Sequence, residues 1–80
     1  MTNSYNRAFG TVLRSFRIER RVTQESLGFS AGRDRTYISL LELGQRSPTL
    51  DTIVVLCRAL NVTLNEFIAA VEREADSSVD

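Results

Sequence analysis

Thr23-Gln24-Glu25-Ser26-Leu27-Gly28-Phe29-Ser30-Ala31-Gly32-Arg33-Asp34-Arg35-Thr36-Tyr37-Ile38-Ser39-Leu40-Leu41-Glu42-Leu43-Gly44 is a stretch that starts and stops a helix twice. Thr23 has the side chain of an N-cap, and Gln24 and Glu25 suit the first turn that follows it. Leu27 and Ala31, at i and i+4, face inward, and Gly32 ends the helix. About three residues later Asp34 caps a second helix, running from Arg35 to about Leu43. Ile38 and Leu41 are its inward residues, and Gly44 is a left-handed terminator. Two short helices joined by so brief a link, with a glycine in it, make a helix-turn-helix.

Outward from this pair the apolar spacing stays helical, with no sustained strand-like alternation. Phe9, Val12, Leu13 and Phe16 fall at i, i+3, i+4 and i+7, so a helix is expected from about Asn6 to Arg20. Pro48 and Thr49 open a helix over Leu50 to Leu60, with Leu50, Ile53, Val54, Cys57 and Leu60 as its buried face and Asn61 as its C-terminal stop. Thr63 and Glu66 form a capping box for a last helix carrying Leu64, Phe67, Ile68 and Val71. The expectation is an all-α, five-helix domain over residues 1–72, followed by an acidic tail, 73–80, that frays.

Eighty residues make one small domain, of a size that buries only about 60–65% of its unfolded surface, so a partner subunit would help. No apolar run approaches the roughly 18 residues of a membrane span, and no signal peptide is evident. The lone Cys57 has no internal partner for a disulfide, which suits a reducing cytoplasm. It sits on an apolar face with no histidine near, as a packed thiol does. The net charge of zero conceals an asymmetry. Residues 1–50 hold eight arginines against four acids, a net of +4, and residues 51–80 hold two against six, a net of −4. A basic half and an acidic half can present positive potential on one face of a soluble molecule. With no histidine, no phosphate-binding glycine loop and one cysteine, the chain offers little for an enzyme or a metal site.

A helix that reads the major groove needs short polar and cationic groups near its N-terminus and apolar anchors behind them. Arg35, Thr36 and Ser39, at i, i+1 and i+4, are such a face, while Ile38 and Leu41 anchor it. Arg35 can donate two hydrogen bonds to a guanine, and Thr36 can bond a base edge or touch a thymine methyl. Tyr37 and Ser39 carry hydroxyls suited to phosphates, although the Tyr37 ring could equally pack on the domain.

The run from Phe9 to Phe67 resembles the xenobiotic-response-element family of phage repressors and Cro proteins. The matching pieces are Thr23-Gln24-Glu25-Ser26-Leu27, Asp34-Arg35-Thr36-Tyr37-Ile38-Ser39, Glu42-x-Gly44, Pro48 and Ala59-Leu60-Asn61-Val62. The Asp34–Ser39 run and the short length also resemble the controller proteins of restriction–modification systems. The resemblance implies a regulator of transcription, possessing no cofactor, that binds palindromic double-stranded operator DNA as a homodimer. RNA polymerase would be a further partner if the protein activates. It further implies that Gln24 contacts the DNA backbone, although a helix-start residue of good propensity would look the same. Arg46 would grip a phosphate, Arg33 and Gln45 would be lesser contacts, and Leu40 would stand at a DNA-facing position. Arg17 and Glu42 match the family's buried ion pair. Gly28, where alanine is usual, is expected to cost about 0.8–1 kcal/mol of helix propensity. Arg21 stands where a glycine often follows the first helix. Leu64, Phe67, Ile68 and Val71 are the candidate dimer surface, because so small a chain cannot bury them all. The rival reading is a protein–protein interaction module, or an antitoxin, on the same fold; it would favour acidic or bulky apolar groups on the third helix.

Overall fold

The computed structural model describes residues 4–77. Among them are five helices and no strand: α1 (Ser4–Glu19), α2 (Gln24–Ala31), α3 (Arg35–Glu42), α4 (Leu50–Leu60) and α5 (Leu64–Ser77). Each helix boundary has a local cause. Thr23 Oγ1 accepts from the Ser26 amide at 3.0 Å, Asp34 Oδ2 from the Thr36 amide at 2.8 Å, and Thr49 Oγ1 from the Thr52 amide at 3.1 Å. Such caps stabilise by about 1 kcal/mol each. Thr63 and Glu66 close the expected capping box in both directions, at 3.0 and 3.1 Å. At the far ends, Gly32 and Asn61 adopt the left-handed conformation that turns the chain out of α2 and α4. Arg21 does the same after α1, at φ 59°, where a Cβ makes the conformation costly.

The core lies between the helices, with α1 packed along both α5 and α3, α2 on α3 and α4, and α4 on α5. Phe67 is fully buried at its centre, tilted against Phe9 (centroids 5.2 Å apart) and stacked on Phe16 (5.6 Å). Leu13, Leu27, Ile38, Leu41, Leu56 and Leu60 complete it.

Several expectations need correcting. In α4, Leu50 is 67% exposed, whereas Thr52 and Leu56 are buried. The inward stripe runs through residues 52, 56, 57 and 60, leaving Ile53 and Val54 half-buried. Five consecutive apolar residues, 53–57, leave the phase of a helix undetermined by periodicity. The tail boundary at 72 falls inside α5, which continues to Ser77 and buries Ala75; residues 78–80 lie outside the described residues. Phe67 and Val71 are core residues of the protomer, because α5 packs along α1, and cannot serve as free surface; Leu64 and Ile68 remain 38% exposed.

Gly28 is also more than a flaw in a helix. A Cβ placed there would sit 2.6 Å from the Arg33 carbonyl oxygen and 3.5 Å from the Arg35 amide nitrogen. The link between α2 and α3 folds directly over this position, and the Arg33 amide donates to the Gly28 carbonyl at 2.8 Å. Glycine therefore sets how closely α3 can follow α2.

Candidate nucleic-acid interface

The N-terminal half of α3 exposes Arg35 and Thr36 to solvent, with Ser39 and Leu40 half-exposed one turn on. Ile38 and Leu41, on the opposite side, are fully buried. The helix is thereby clamped by its apolar side while its polar side faces out, the arrangement a groove-reading helix needs. Tyr37 lies between the two sides. Its ring packs partly on the core, and the Arg46 guanidinium stands over it, 5.4 Å from the ring centroid. Arg46 itself is exposed in the loop after α3, next to the exposed Gln45. Stacking on Tyr37 restrains a side chain that would otherwise have to be ordered on binding.

What holds α3 at its angle is an ion pair between residues 25 positions apart. Arg17 Nε donates to Glu42 Oε2 at 2.6 Å and Nη2 to Oε1 at 3.1 Å, while Nη1 donates to the Val22 carbonyl at 2.9 Å. The Glu42 side chain is only 3% exposed. Removing either partner from so desolvated a bidentate pair costs about 3–5 kcal/mol, because the other charge is left buried. The pair ties α1 to the end of α3, as the resemblance implied.

Two of the residues read as phosphate contacts have additional or different work. Gln24 Nε2 donates to Glu42 Oε1 at 3.0 Å, so its amide joins the ion-pair network. Arg33 turns inward: Nε and Nη2 donate to Thr52 Oγ1 at 3.3 and 3.1 Å, and Nη1 to the Ala31 and Gly32 carbonyls at 3.3 and 3.2 Å. Its guanidinium stitches the end of α2 to the start of α4 and neutralises the negative end of the α2 dipole. In the free protein the Arg33 guanidinium is thus engaged within the fold. The sequence could not show this, since the acceptor that claims Arg33 lies 19 residues away on another helix.

Arg17, Thr23, Gln24, Glu25 and Arg35 line one open cleft of about 430 Å³ between the starts of α2 and α3. The cleft brings a base-reading candidate, a backbone-contact candidate and the structural ion pair together. Sequence reasoning had kept these three roles apart. Arg7 is a further residue it overlooked: exposed on α1, it lies against Gly44, at the base of the loop that carries Arg46. Phe29, on α2, is 89% exposed. No single helix among the described residues is long and apolar enough to cross a membrane.

Comparison with known proteins agrees with this geometry. The helix-turn-helix family model matches residues 13–67. The control protein C.BamHI of Bacillus amyloliquefaciens is 40% identical over 63 residues, which cover 78% of either chain. The restriction–modification controller protein C.AhdI from Aeromonas hydrophila superposes with a TM-score of 0.76 at 37% identity, over 78% of this chain and 94% of that one. A single-residue mutant of the controller protein C.Esp1396I superposes over the whole of both chains, with a TM-score of 0.89 at 26% identity. The chain belongs to the helix-turn-helix family, as a DNA-binding regulator of the restriction–modification controller type.

Proposed function

We propose that the protein binds operator DNA as a homodimer, with one α3 in each of two successive major grooves, and controls transcription of a restriction–modification operon that includes its own gene. The observation that carries this reading is the outward face of α3: Arg35 and Thr36 exposed, Ser39 and Leu40 beside them, and two buried anchors behind. Arg35, Thr36, Ser39 and Leu40 are the proposed base contacts. Gln24, Tyr37, Gln45 and Arg46 are the proposed backbone contacts, because phosphates position a protein while base edges specify its site. Leu64 and Ile68, one turn apart on α5, are what remains of the proposed dimer surface. A two-fold dimer would read half-sites about 10–11 base pairs apart. Membership of this family and the cytoplasmic setting of DNA support one another.

The test is fluorescence anisotropy with the DNA upstream of the gene, across a salt series, for wild type, Arg35→Ala and Arg46→Ala. Arg35→Ala should lose about 1–3 kcal/mol on the cognate site and relax its specificity. Arg46→Ala should weaken all sequences alike and reduce the salt slope of the dimer by about two, one phosphate contact being lost in each half-site. A folded wild type that binds neither upstream nor random DNA at low salt refutes the reading. In that event the protein-interaction module gains ground, for which the exposed Phe29 and the 63% exposed Leu43 already speak.

A further inference from the structure

The buried carboxylate of Glu42 accepts three hydrogen bonds, two from Arg17 and one from Gln24. A carboxylate can only accept, so the Gln24 atom facing it must be the amide nitrogen, which settles the orientation of that amide. An amide nitrogen carries two hydrogens in one plane. With one committed to Glu42 at 3.0 Å, the other has a fixed direction. Gln24 is also the first residue of α2 and shares the wall of the open cleft with Arg35.

We propose that Glu42 is a positioning residue for DNA binding: it holds the Gln24 amide so that the second N–H donates to one backbone phosphate in each half-site. This rests on the operator-binding reading. The charges around the cleft explain why a held neutral donor matters there. Arg17 is neutralised by Glu42, and Arg35 and Glu25 bring one charge of each sign to the cleft lining, so the cleft is no strong attractor of anions by charge alone. A directed donor supplies what the field does not, and an amide already ordered in the free protein loses little freedom on binding. The ion pair of the fold and the backbone contact are then one device, so α3 cannot shift without moving the phosphate donor of α2.

The test combines ethylation interference and a salt series, on a duplex of the DNA upstream of the gene. Gln24→Ala should weaken binding about tenfold. It should erase interference at a single phosphate in each half-site and leave the salt slope unchanged, since a neutral group is lost. Glu42→Asp keeps a charge for Arg17 but retracts the carboxylate by about 1.5 Å, one carbon–carbon bond. It should erase the same phosphate and add nothing in the Gln24→Ala background. The proposal is overturned if Gln24→Ala keeps the full footprint, or if Glu42→Asp costs as much affinity in the Gln24→Ala background as in wild type. Because Glu42→Asp also strains the fold, ¹⁵N relaxation of the Gln24 side-chain amide in free wild type provides an independent check. A rigid amide supports the proposal, and one as mobile as a loop, with an order parameter below about 0.6, overturns it. A wild type that leaves no footprint on any duplex defeats the operator reading and this proposal with it, whereas a normal footprint indifferent to Gln24 defeats this proposal alone.

Discussion

Gly28→Ala separates local propensity from tertiary geometry, because the two predict opposite signs. By propensity, alanine inside α2 should stabilise by about 0.8–1 kcal/mol. In the structure the new methyl would lie 2.6 Å from the Arg33 carbonyl oxygen, where ordinary contact begins at 3.4 Å, so a gap of about 0.8 Å must open. The methyl has no sideways escape, since the Asp34 carbonyl carbon and the Arg35 amide nitrogen already stand at contact distance, 3.5 Å. The yielding atoms are backbone, and the Arg33 amide is bonded to the Gly28 carbonyl itself. Overpacking of this kind costs about 1–3 kcal/mol, and loosening the terminal hydrogen bond adds about 0.5–1.5 kcal/mol. Set against the propensity gain, the net destabilisation is about 1–3 kcal/mol. For a domain of this length that lowers Tm by roughly 5–20 °C. The assay is thermal unfolding followed by circular dichroism, at one fixed protein concentration because the proposed dimerisation would be linked to stability. Ser30→Ala, on the exposed side of the same helix, is the control, and it should be neutral or slightly stabilising. If Gly28→Ala melts at or above wild type, the α2–α3 link is compliant and the close approach does not constrain it.

Arg33→Ala should lower Tm while leaving the salt slope of DNA binding at its wild-type value; a slope reduced by about two, one contact per half-site, would mean that Arg33 does reach a phosphate. Arg21→Gly should raise Tm by a few degrees, since it relieves a left-handed residue of roughly 1 kcal/mol of strain, and a fall in Tm would show that the arginine side chain has an offsetting role. Ile68→Asp should yield a folded monomer in analytical ultracentrifugation, and an unchanged mass would move the dimer interface off α5. The Glu66 carboxyl is held below its ordinary value of 4.5 by hydrogen bonds from the Thr63 amide and hydroxyl. The stability this contributes is complete above that value and disappears as pH falls through the lowered one, so Glu66→Gln, which removes the titrating group and keeps a capping oxygen for the Thr63 amide, should flatten the acid limb of a Tm–pH curve below about pH 4.5 and change its shape little at neutral pH.

The elements that were legible in the sequence are those whose causes lie within a few residues of them. Thr23, Asp34, Thr49 and the Thr63–Glu66 box each cap a helix through groups two or three positions away, so their side-chain types alone announce them. Gly32 and Asn61 stop helices for equally local reasons. The phase of α4 was not legible, because Ile53 to Cys57 are apolar all round and the packing of α4 on α2 and α5 decides which side turns inward. Nor was the burial of Phe67 and Val71, which depends on how α5 lies along α1 rather than on any pattern within α5. Gly28 was legible as an oddity and misleading as to sign, since its use lies in a carbonyl five residues on.

The arginines show the same division at the site, and it has a consequence for binding. By composition the first fifty residues are simply basic. In space, Arg17 is spent on Glu42 and Val22, Arg20 on the Leu60 carbonyl and Glu19, and Arg33 on Thr52 and the end of α2. These three tie α1 to α3, α1 to the end of α4, and α2 to α4, so they build the platform and are poorly placed to replace counterions on DNA. Arg7, Arg14, Arg21, Arg35 and Arg46 are exposed, and of these Arg35 begins α3, Arg46 lies in the loop after it and Arg7 adjoins that loop. The salt slope of a dimer should therefore track only the cations near α3, and fall well short of what sixteen arginines in the two basic halves would suggest. Since each phosphate neutralised adds about 0.9 to that slope, a value near 4 fits Arg7 and Arg46 on phosphates in each protomer with Arg35 on a base, whereas one near 14 would require the clamped arginines to leave their carbonyls and carboxylate on binding.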